Sequence, residues 1–147
     1  MIGILVISHG RLANELLAAA RTIEPALAEQ SRAITLEWNV EPEAARAEIA
    51  RSLRELDSGD GVVVLTDMFG GTPTNLSLGF LDPSRSEVVT GVNLPMLIKL
   101  AGVRRQDGGN LRQVAKVVAE KGQKSIYVVS EILERRPGSG AHGPTHG

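Results

Sequence analysis

Apolar residues along the chain follow two alternating periodicities, which predict strands and helices in turn. Ile2–Ile7 is almost continuously apolar, and so is Val62–Thr66. Such runs are typical of strands that are buried on both faces of a parallel sheet. Weaker strand patterns occur in three further segments: Ala33–Asn39, with Ile34, Leu36 and Trp38 on one face, then Glu87–Val92 and Ser125–Val129.

Between these segments apolar residues recur every three or four positions, which is the spacing of one helical face. The first such stripe comprises Leu12, Leu16, Ala20 and Ile23, and Pro25 ends it. Four more helices are predicted: one from Pro42 to Leu56, a short one from Pro73 to Phe80, one from Leu94 to Ala101, and one capped by Asn110.

The resulting order, β-α-β-α-β-α-β-α-α-β, predicts an α/β fold with a doubly wound, mostly parallel sheet and helices on both faces. A flavodoxin-like strand order, 2-1-3-4, makes strands one and three neighbours. We expect one domain at residues 1–130. Residues 131–147 are rich in Gly and Pro and poor in apolar residues, which predicts a disordered tail.

Composition narrows the classes of function. The chain has 147 residues, a formal net charge of −1 and no basic block, which argues against binding to nucleic acid or to an anionic membrane surface. It has no cysteine, so a disulfide framework and a thiol nucleophile are excluded. No apolar run reaches 18 residues and the N-terminus lacks a basic leader, so we expect a soluble cytoplasmic protein without membrane insertion.

One histidine, His9, stands where the first predicted strand ends and the first helix begins. The two other histidines, His142 and His146, lie in the Gly-rich tail. Open α/β sheets bind ligands at the carboxyl ends of their strands, next to helix N-termini. A neutral imidazole at that position is a candidate nucleophile toward an anionic group.

The loop D-M-F-G-G-T-P-T-N, which begins at Asp67, follows the third strand as His9 follows the first. A carboxylate on one imidazole nitrogen fixes the tautomer and leaves the other nitrogen free. Gly70 and Gly71 leave backbone amides open to an anion, and Thr72 adds a hydroxyl. The set predicts phosphoryl transfer to and from histidine. Helix capping by Asp67 or Thr72, and turn formation by the glycines, are the simpler alternatives.

Other chemistries at His9 lack the residues that they need. A zinc site requires three or four ligands, and no second histidine occurs outside the tail. Ser8 adjoins His9 on an extended segment, so their side chains diverge and cannot form a hydrolase pair. Neither a dinucleotide-binding nor a P-loop glycine pattern is present. We therefore predict neither a metal nor a cofactor.

Three segments together resemble the enzyme IIA domain of the mannose family of the bacterial phosphoenolpyruvate-dependent sugar phosphotransferase system. They are I-S-H-G at Ile7–Gly10, D-M-F-G-G-T-P-T-N at Asp67–Asn75, and T-G-V-N-L-P-M-L at Thr90–Leu97. Their order and spacing are specific, and the resemblance covers residues 1 to about 130.

The resemblance implies that His9 accepts a phosphoryl group from the phosphocarrier protein HPr and passes it to an enzyme IIB protein. Asp67 matches the acidic residue that orients the active histidine in this family. Such domains are typically homodimers in which the last strand adds antiparallel to the other subunit's sheet. In this chain the exchanged edge strand would be Ser125–Val129.

Three apolar residues near the predicted site are candidates for docking partner proteins: Phe69, Leu94 and Met96. Ordinary packing of the following helix is the alternative for Leu94 and Met96. Many relatives have G-G-S-P-F-N where this chain has G-G-T-P-T-N, so Thr74 replaces an aromatic residue. We expect that replacement to alter the partner surface.

Two other functions compete with that of a sugar-system phosphocarrier. The phosphotransfer subunit of a dihydroxyacetone kinase shares the fold and a histidine at a strand end, but the Asp67 loop favours the sugar system. A regulatory module, whose phosphorylation state controls another protein, is the second alternative. Neighbouring genes for IIB and membrane components would favour transport.

Overall fold

A computed structural model describes residues 1–68, 70–82, 84–105 and 110–135 of the chain. Strands and helices alternate up to the fourth strand, with a short 3-10 helix at Pro25–Ala28 after the first α-helix, and three successive helices follow the fourth strand. The strands are β1 (Gly3–His9), β2 (Ser31–Leu36), β3 (Val62–Thr66) and β4 (Ser86–Val89). The helices are α1 (Leu12–Ile23), α2 (Pro42–Leu56), α3 (Thr72–Leu78), α4 (Leu94–Val103), α5 (Leu111–Lys124) and α6 (Val129–Arg135).

The four strands form one parallel sheet in the order β2-β1-β3-β4, which confirms the predicted order. β1 and β3 lie side by side in the centre, with Ile7 opposite Thr66. On its other side β1 pairs with β2, and His9 lies opposite Leu36. Because the central strands are covered on both faces, every residue of β3 is buried, as its continuous apolar run predicts.

Two apolar layers hold the helices against the sheet. Ile4 and Val6 point to one layer, while Leu5 and Ile7 point to the other, as the alternation of a strand requires. α1, α4 and α5 supply the first layer, with Ala13, Ala20, Leu97, Leu100 and Val118 among its members. α2 and α3 supply the second, through Ala45, Ile49, Leu56 and Leu76.

The predicted alternation in the second strand ends earlier than expected. β2 stops at Leu36, and the Val40 N–H donates to the Glu37 carbonyl across a turn at 3.2 Å. Ile34 and Leu36 share a buried face, but Trp38 lies beyond the end of the strand and is 100 % exposed, so its placement on the same face is wrong. The turn rotates the backbone out of the pleat, and the period of two no longer applies beyond Leu36.

The buried face of α1 is rotated from the predicted stripe. Ala13, Leu17 and Ala20 are buried, whereas Leu12 and Ile23 are exposed. Ala20 and the partly buried Leu16 of the predicted stripe do pack against the core, so only the two ends of the stripe were misplaced. Small alanines at two of the three buried positions let the helix approach the sheet closely. The helix ends at Ile23, before Pro25, as expected.

The C-terminal segment differs from the prediction of a fifth strand. Residues 126–128 have no regular secondary structure in this single chain, and Val129 begins α6. The prediction of a strand at Ser125–Val129 is therefore wrong for the chain on its own, because no strand edge pairs with it here. The predicted domain boundary at residue 130 falls inside α6, and residues 136–147 of the predicted tail lie outside the described residues.

Gly3 is required by the close approach of α2 to the start of β1. A Cβ added at Gly3 would lie 2.6 Å from the backbone oxygen of Leu56. We expect Gly3→Ala to lower the free energy of unfolding by about 1–3 kcal/mol, as overpacking does. Gly102→Ala is the matched control, because a Cβ on that helical glycine has no neighbour within 4 Å. Denaturant unfolding of both variants with equal stability would contradict this packing.

Candidate functional site

The candidate site lies where β1 and β3 end side by side. His9 is the last residue of β1, and Asp67 follows the last residue of β3. The two strands are parallel neighbours, so both side chains emerge at the carboxyl edge of the sheet. The structure therefore brings together the two residues that sequence reasoning paired across 58 positions.

One carboxylate oxygen of Asp67 binds His9 twice. Oδ2 lies 2.6 Å from the ring Nδ1 and accepts a second hydrogen bond, of 2.9 Å, from the His9 backbone N–H. The other oxygen, Oδ1, accepts from the Met68 N–H at 2.9 Å. The His9 side chain is 42 % exposed and that of Asp67 only 11 %. The carboxylate is thus enclosed while the imidazole reaches solvent.

These contacts keep Asp67 ionised. Partial burial on its own would raise the pKa of the Asp67 carboxyl, because burial disfavours a charge. Hydrogen bonds from the backbone and the ring of His9, the attraction of its imidazole and a hydrogen bond from Met68 outweigh that effect, so the pKa is held below its usual value. At neutral pH the group beside His9 Nδ1 is therefore a carboxylate.

A carboxylate on Nδ1 determines what the other ring nitrogen can do. Ionised Asp67 can only accept, so the neutral ring of His9 carries its proton on Nδ1 and leaves a lone pair on Nε2. If Nε2 forms a bond, the positive charge that develops on the ring lies next to the carboxylate. The arrangement is that of an oriented nitrogen nucleophile.

Gly71 packs directly against the His9 ring. A Cβ at this position would lie 2.8 Å from Cε1 of His9 and 3.5 Å from Nε2. Gly71 is also the N-cap residue of α3, and Thr72 is the exposed first residue of that helix. Gly70 has a φ of +83°, which favours glycine. Gly71 thus presents bare backbone beside the ring.

Thr74 stabilises this loop from inside the protein and does not face a partner. It is buried, its Oγ1 lies 2.6 Å from Oγ1 of Thr66, and it donates to the Met68 carbonyl at 2.7 Å. The expectation that Thr74 alters the partner surface is wrong, because its side chain points into the protein. It links the end of β3 to the loop that carries Asp67.

Ser8 supports the other side of the site, a role that the sequence analysis missed. Its side chain is fully buried, and its Oγ accepts a 2.6 Å hydrogen bond from the Ala13 N–H in the first turn of α1. Ser8 lies four residues before the first residue of α1, outside the N-cap position, so the capping pattern does not reveal this contact. Ser8 points inward while His9 reaches solvent, so the two side chains diverge as predicted.

The predicted docking residues do not form one surface in the structure. Met96 is 2 % exposed and belongs to the first core layer, so its assignment to a partner surface is wrong: it faces inward from α4 and packs on Gly122. Leu94 is half-buried and lines an apolar groove of about 770 Å³ along α4 and α5, together with Tyr127. Phe69 lies outside the described residues.

Comparison with known proteins agrees with this fold. The family model described as "PTS system fructose IIA component" matches residues 3–119. The "PTS system mannose-specific EIIAB component" of Escherichia coli K12 is 31 % identical over 129 residues, which are 85 % of this chain and 38 % of that protein. This chain therefore matches well under half the length of that relative.

Two solved structures are similar over nearly their whole length. The mannose/sorbose-specific IIA subunit from Enterococcus faecalis has a TM-score of 0.71 and 28 % identity, with 86 % of this chain and 93 % of that one covered. The IIA protein associated with the fucose utilization operon of Streptococcus pneumoniae has a TM-score of 0.75 and 28 % identity, with coverages of 89 % and 95 %.

The chain belongs to the mannose family of enzyme IIA components of the sugar phosphotransferase system (PTS). This agrees with the resemblance drawn from its three motifs and favours the sugar system over a dihydroxyacetone kinase subunit. None of the described helices combines the length and the apolar content needed to cross a membrane. In the described part of the chain no three His, Asp or Glu side chains are grouped closely enough to hold a metal ion.

The contact between Gly71 and the ring predicts a selective effect of adding one methyl group. Gly71→Ala should displace the His9 ring and break its Nδ1 bond to Asp67, because the new Cβ cannot fit beside Cε1. We expect the ¹⁵N chemical shifts of the His9 ring to move toward the mixed tautomers of a free imidazole. Gly79→Ala, at the other end of α3, has only one neighbour, at 3.6 Å, and should leave them unchanged. Identical ring spectra in the two variants would contradict the packing.

Proposed function

We propose that this chain is a cytoplasmic phosphocarrier that accepts a phosphoryl group from HPr on Nε2 of His9 and passes it to an enzyme IIB protein. The observation that carries the proposal is the pairing of an exposed imidazole with an enclosed carboxylate on its Nδ1. Membership of the PTS enzyme IIA family supports the same conclusion. We assign the phosphocarrier domain to residues 1–130, of which the family model covers 3–119.

The proposed phosphoryl transfer requires no added acid or base. The Nε2 lone pair of His9 attacks the phosphorus of the phosphohistidine on HPr, so a new P–N bond forms as the donor's P–N bond breaks. The donor ring leaves as a neutral imidazole and keeps the proton on its other nitrogen. His9 becomes a phosphorylated imidazolium whose Nδ1–H remains on the Asp67 carboxylate.

The glycine loop supplies the proposed contacts to the phosphoryl oxygens. Gly70 and Gly71 lie between Asp67 and α3, Thr72 is the first residue of that helix, and Gly71 packs against the imidazole ring. First-turn N–H groups of a helix have no acceptor inside the helix and are free to bind an anion. We assign the backbone of these residues and the hydroxyl of Thr72 to that role.

The proposed acceptor is an enzyme IIB protein. The E. coli relative is named an EIIAB component, which supports a partner of that type for this chain. Transfer onward to IIB repeats the same chemistry in reverse, with His9 as the leaving group. A regulatory role would use the same phosphorylated state and would differ only in what reads it.

The test of the proposal is labelling with phosphoenolpyruvate, enzyme I and HPr, followed by intact-mass measurement. We expect one added phosphoryl group that is lost in acid and stable in base, because protonation makes the nitrogen of a phosphoramidate a better leaving group. His9→Ala should not be labelled, while its circular dichroism stays that of the wild type, since the side chain lies at the rim of the sheet. Labelling that persists in His9→Ala would refute the proposal.

Removal of the Asp67 charge should slow the transfer without abolishing it. Asp67→Asn keeps the size of the side chain but lacks the charge that stabilises the phosphorylated imidazolium. We expect the rate of phosphorylation by phospho-HPr to fall by about 10- to 1,000-fold. Rapid-quench kinetics measure the rate directly. A rate equal to that of the wild type would leave Asp67 with only a structural role.

We also propose a homodimer in which Ser125–Val129 of each copy pairs with the other copy's sheet beside β4. In the sheet as described β4 is a terminal strand, and Ile126, Val128 and Val129 are exposed apolar residues with high strand propensity. Mutual exchange would pair the free edge of β4 and bury these apolar side chains in both copies, across a two-fold axis.

Sedimentation of shortened chains tests the exchange. A chain that ends at Glu134 should remain a dimer at micromolar concentration, because it keeps the exchanged segment. A chain that ends at Gln123 should be a monomer or should aggregate. A full-length chain that sediments as a monomer would refute the exchange and leave the phosphocarrier proposal intact.

A further inference from the structure

Trp38 is fully exposed although nothing in the fold requires it to be. It sits in the turn between Glu37 and Val40, which is anchored at both ends. On one side Leu36 is buried in β2, and on the other Val40 packs against the second core layer. The turn is therefore held in place by its neighbours, and the indole makes no contribution to the core.

The position of Trp38 relative to His9 follows from the strand register. Leu36 lies opposite His9 in the β1–β2 pair, and the Gly10 N–H donates to the Leu36 carbonyl at 3.1 Å. Neighbouring strands are about 4.8 Å apart, and two further residues span at most about 7.6 Å between Cα atoms. The Cα of Trp38 thus lies within about 12 Å of the Cα of His9.

Two more exposed apolar side chains lie close to the site. Leu12 follows His9 by three residues at the start of α1, and Met68 follows Asp67 directly. We name Leu12, Trp38 and Met68 the rim patch. A single exposed leucine would carry no meaning, since much of any protein surface is apolar. A fully exposed tryptophan near the end of the strand next to His9, with two other exposed large apolar residues adjacent to the site in the chain, is characteristic of docking surfaces.

We propose that the rim patch, with Trp38 as its principal contact, docks the protein that brings the phosphoryl group to His9. This inference rests on the proposed function. A donor histidine can reach Nε2 only if the donor's surface covers the surroundings of His9. A standard interface buries about 800 Å² per partner, which is a disc of about 16 Å radius. Trp38 therefore falls inside the donor's footprint.

Charges beside Trp38 define the kind of surface that fits. Glu37 and Glu41 are exposed on either side of it, while Arg11 is paired with Glu15 at 3.4 Å. The complementary face is apolar at its centre and carries Lys or Arg at its rim. Tryptophan is also the residue type most enriched among contacts that dominate binding energy.

Two phosphoryl donors separate docking from chemistry. Phospho-HPr of the same organism must dock, whereas phosphoramidate is a small molecule that transfers its phosphoryl group and releases ammonia. We expect Trp38→Ala to raise the KM for phospho-HPr by about 30-fold, the loss typical of a dominant interface contact. Its kcat, and its rate with phosphoramidate, should stay within about twofold of the wild type. Trp38→Phe should recover most of the lost affinity.

Ile23→Ala is the matched control, because Ile23 is an exposed apolar residue at the far end of α1, about 16 Å along the helix from Leu12. Ile23→Ala should change neither the KM for phospho-HPr nor the rate with phosphoramidate.

A Trp38→Ala chain with the wild-type KM for phospho-HPr would overturn the docking proposal. Loss of dimerisation in Trp38→Ala would overturn it too, because the patch would then bind a second copy. If neither donor labels His9, the proposed function itself fails.

Fluorescence gives a second, direct measurement, since Trp38 is the only tryptophan of the chain. Titration with unphosphorylated HPr that contains no tryptophan should shift the emission to shorter wavelength and reach saturation, because the indole leaves water on docking. Binding measured by calorimetry without any change in emission would show that HPr docks elsewhere and would overturn the proposal.

Discussion

The hydrogen bonds between the Asp67 carboxylate and His9 are the interaction on which the site depends. One oxygen accepts both from the ring and from the backbone of the same residue, so the imidazole is fixed relative to the strand that carries it. The arrangement places a permanent negative charge on the enclosed side of the ring and leaves the other side in solvent. A single side chain therefore sets the orientation of the imidazole and the charge beside it.

The other residues of the site keep that carboxylate in position. Thr66 and Thr74 join the end of β3 to the loop after it, and the Met68 N–H occupies the second carboxylate oxygen. Gly71 brings the loop into contact with the ring. Every one of these contacts is internal to the loop or to the strand end. The loop thus has its shape without a bound ligand, which is what preorganised stabilisation of a developing charge requires.

The sequence predicted the central features because these depend on short-range patterns. Continuous apolar runs identified β1 and β3, and the parallel order then brought His9 and Asp67 together. The sequence could not show which way the side chains of Met96 and Thr74 face, because the neighbours of a helical residue depend on how the helices pack. The sequence also did not indicate where β2 ends. Trp38 continues the alternation of apolar and polar residues, although the strand stops at Leu36 and a turn follows.

The C-terminal segment shows a different limit. Ile126, Val128 and Val129 are apolar and β-branched, which favours a strand, yet a strand exists only where another strand offers an unpaired edge. In the single chain no such edge reaches them, and the chain enters α6 instead. Their secondary structure therefore depends on what the segment can pair with and not on the local sequence alone.

The contact between His9 and Asp67 involves only a small part of the chain, which has a consequence for how far the sequences of related chains can differ. This contact needs two strand ends, one loop of about six residues and the strands that hold them together. Most positions away from this contact are required only to keep the fold packed, and a packed core tolerates many substitutions that keep its volume and its pattern of apolar residues. A relative can accordingly match this chain over 129 residues at only 31 % identity, because many different sequences can maintain the same folded core.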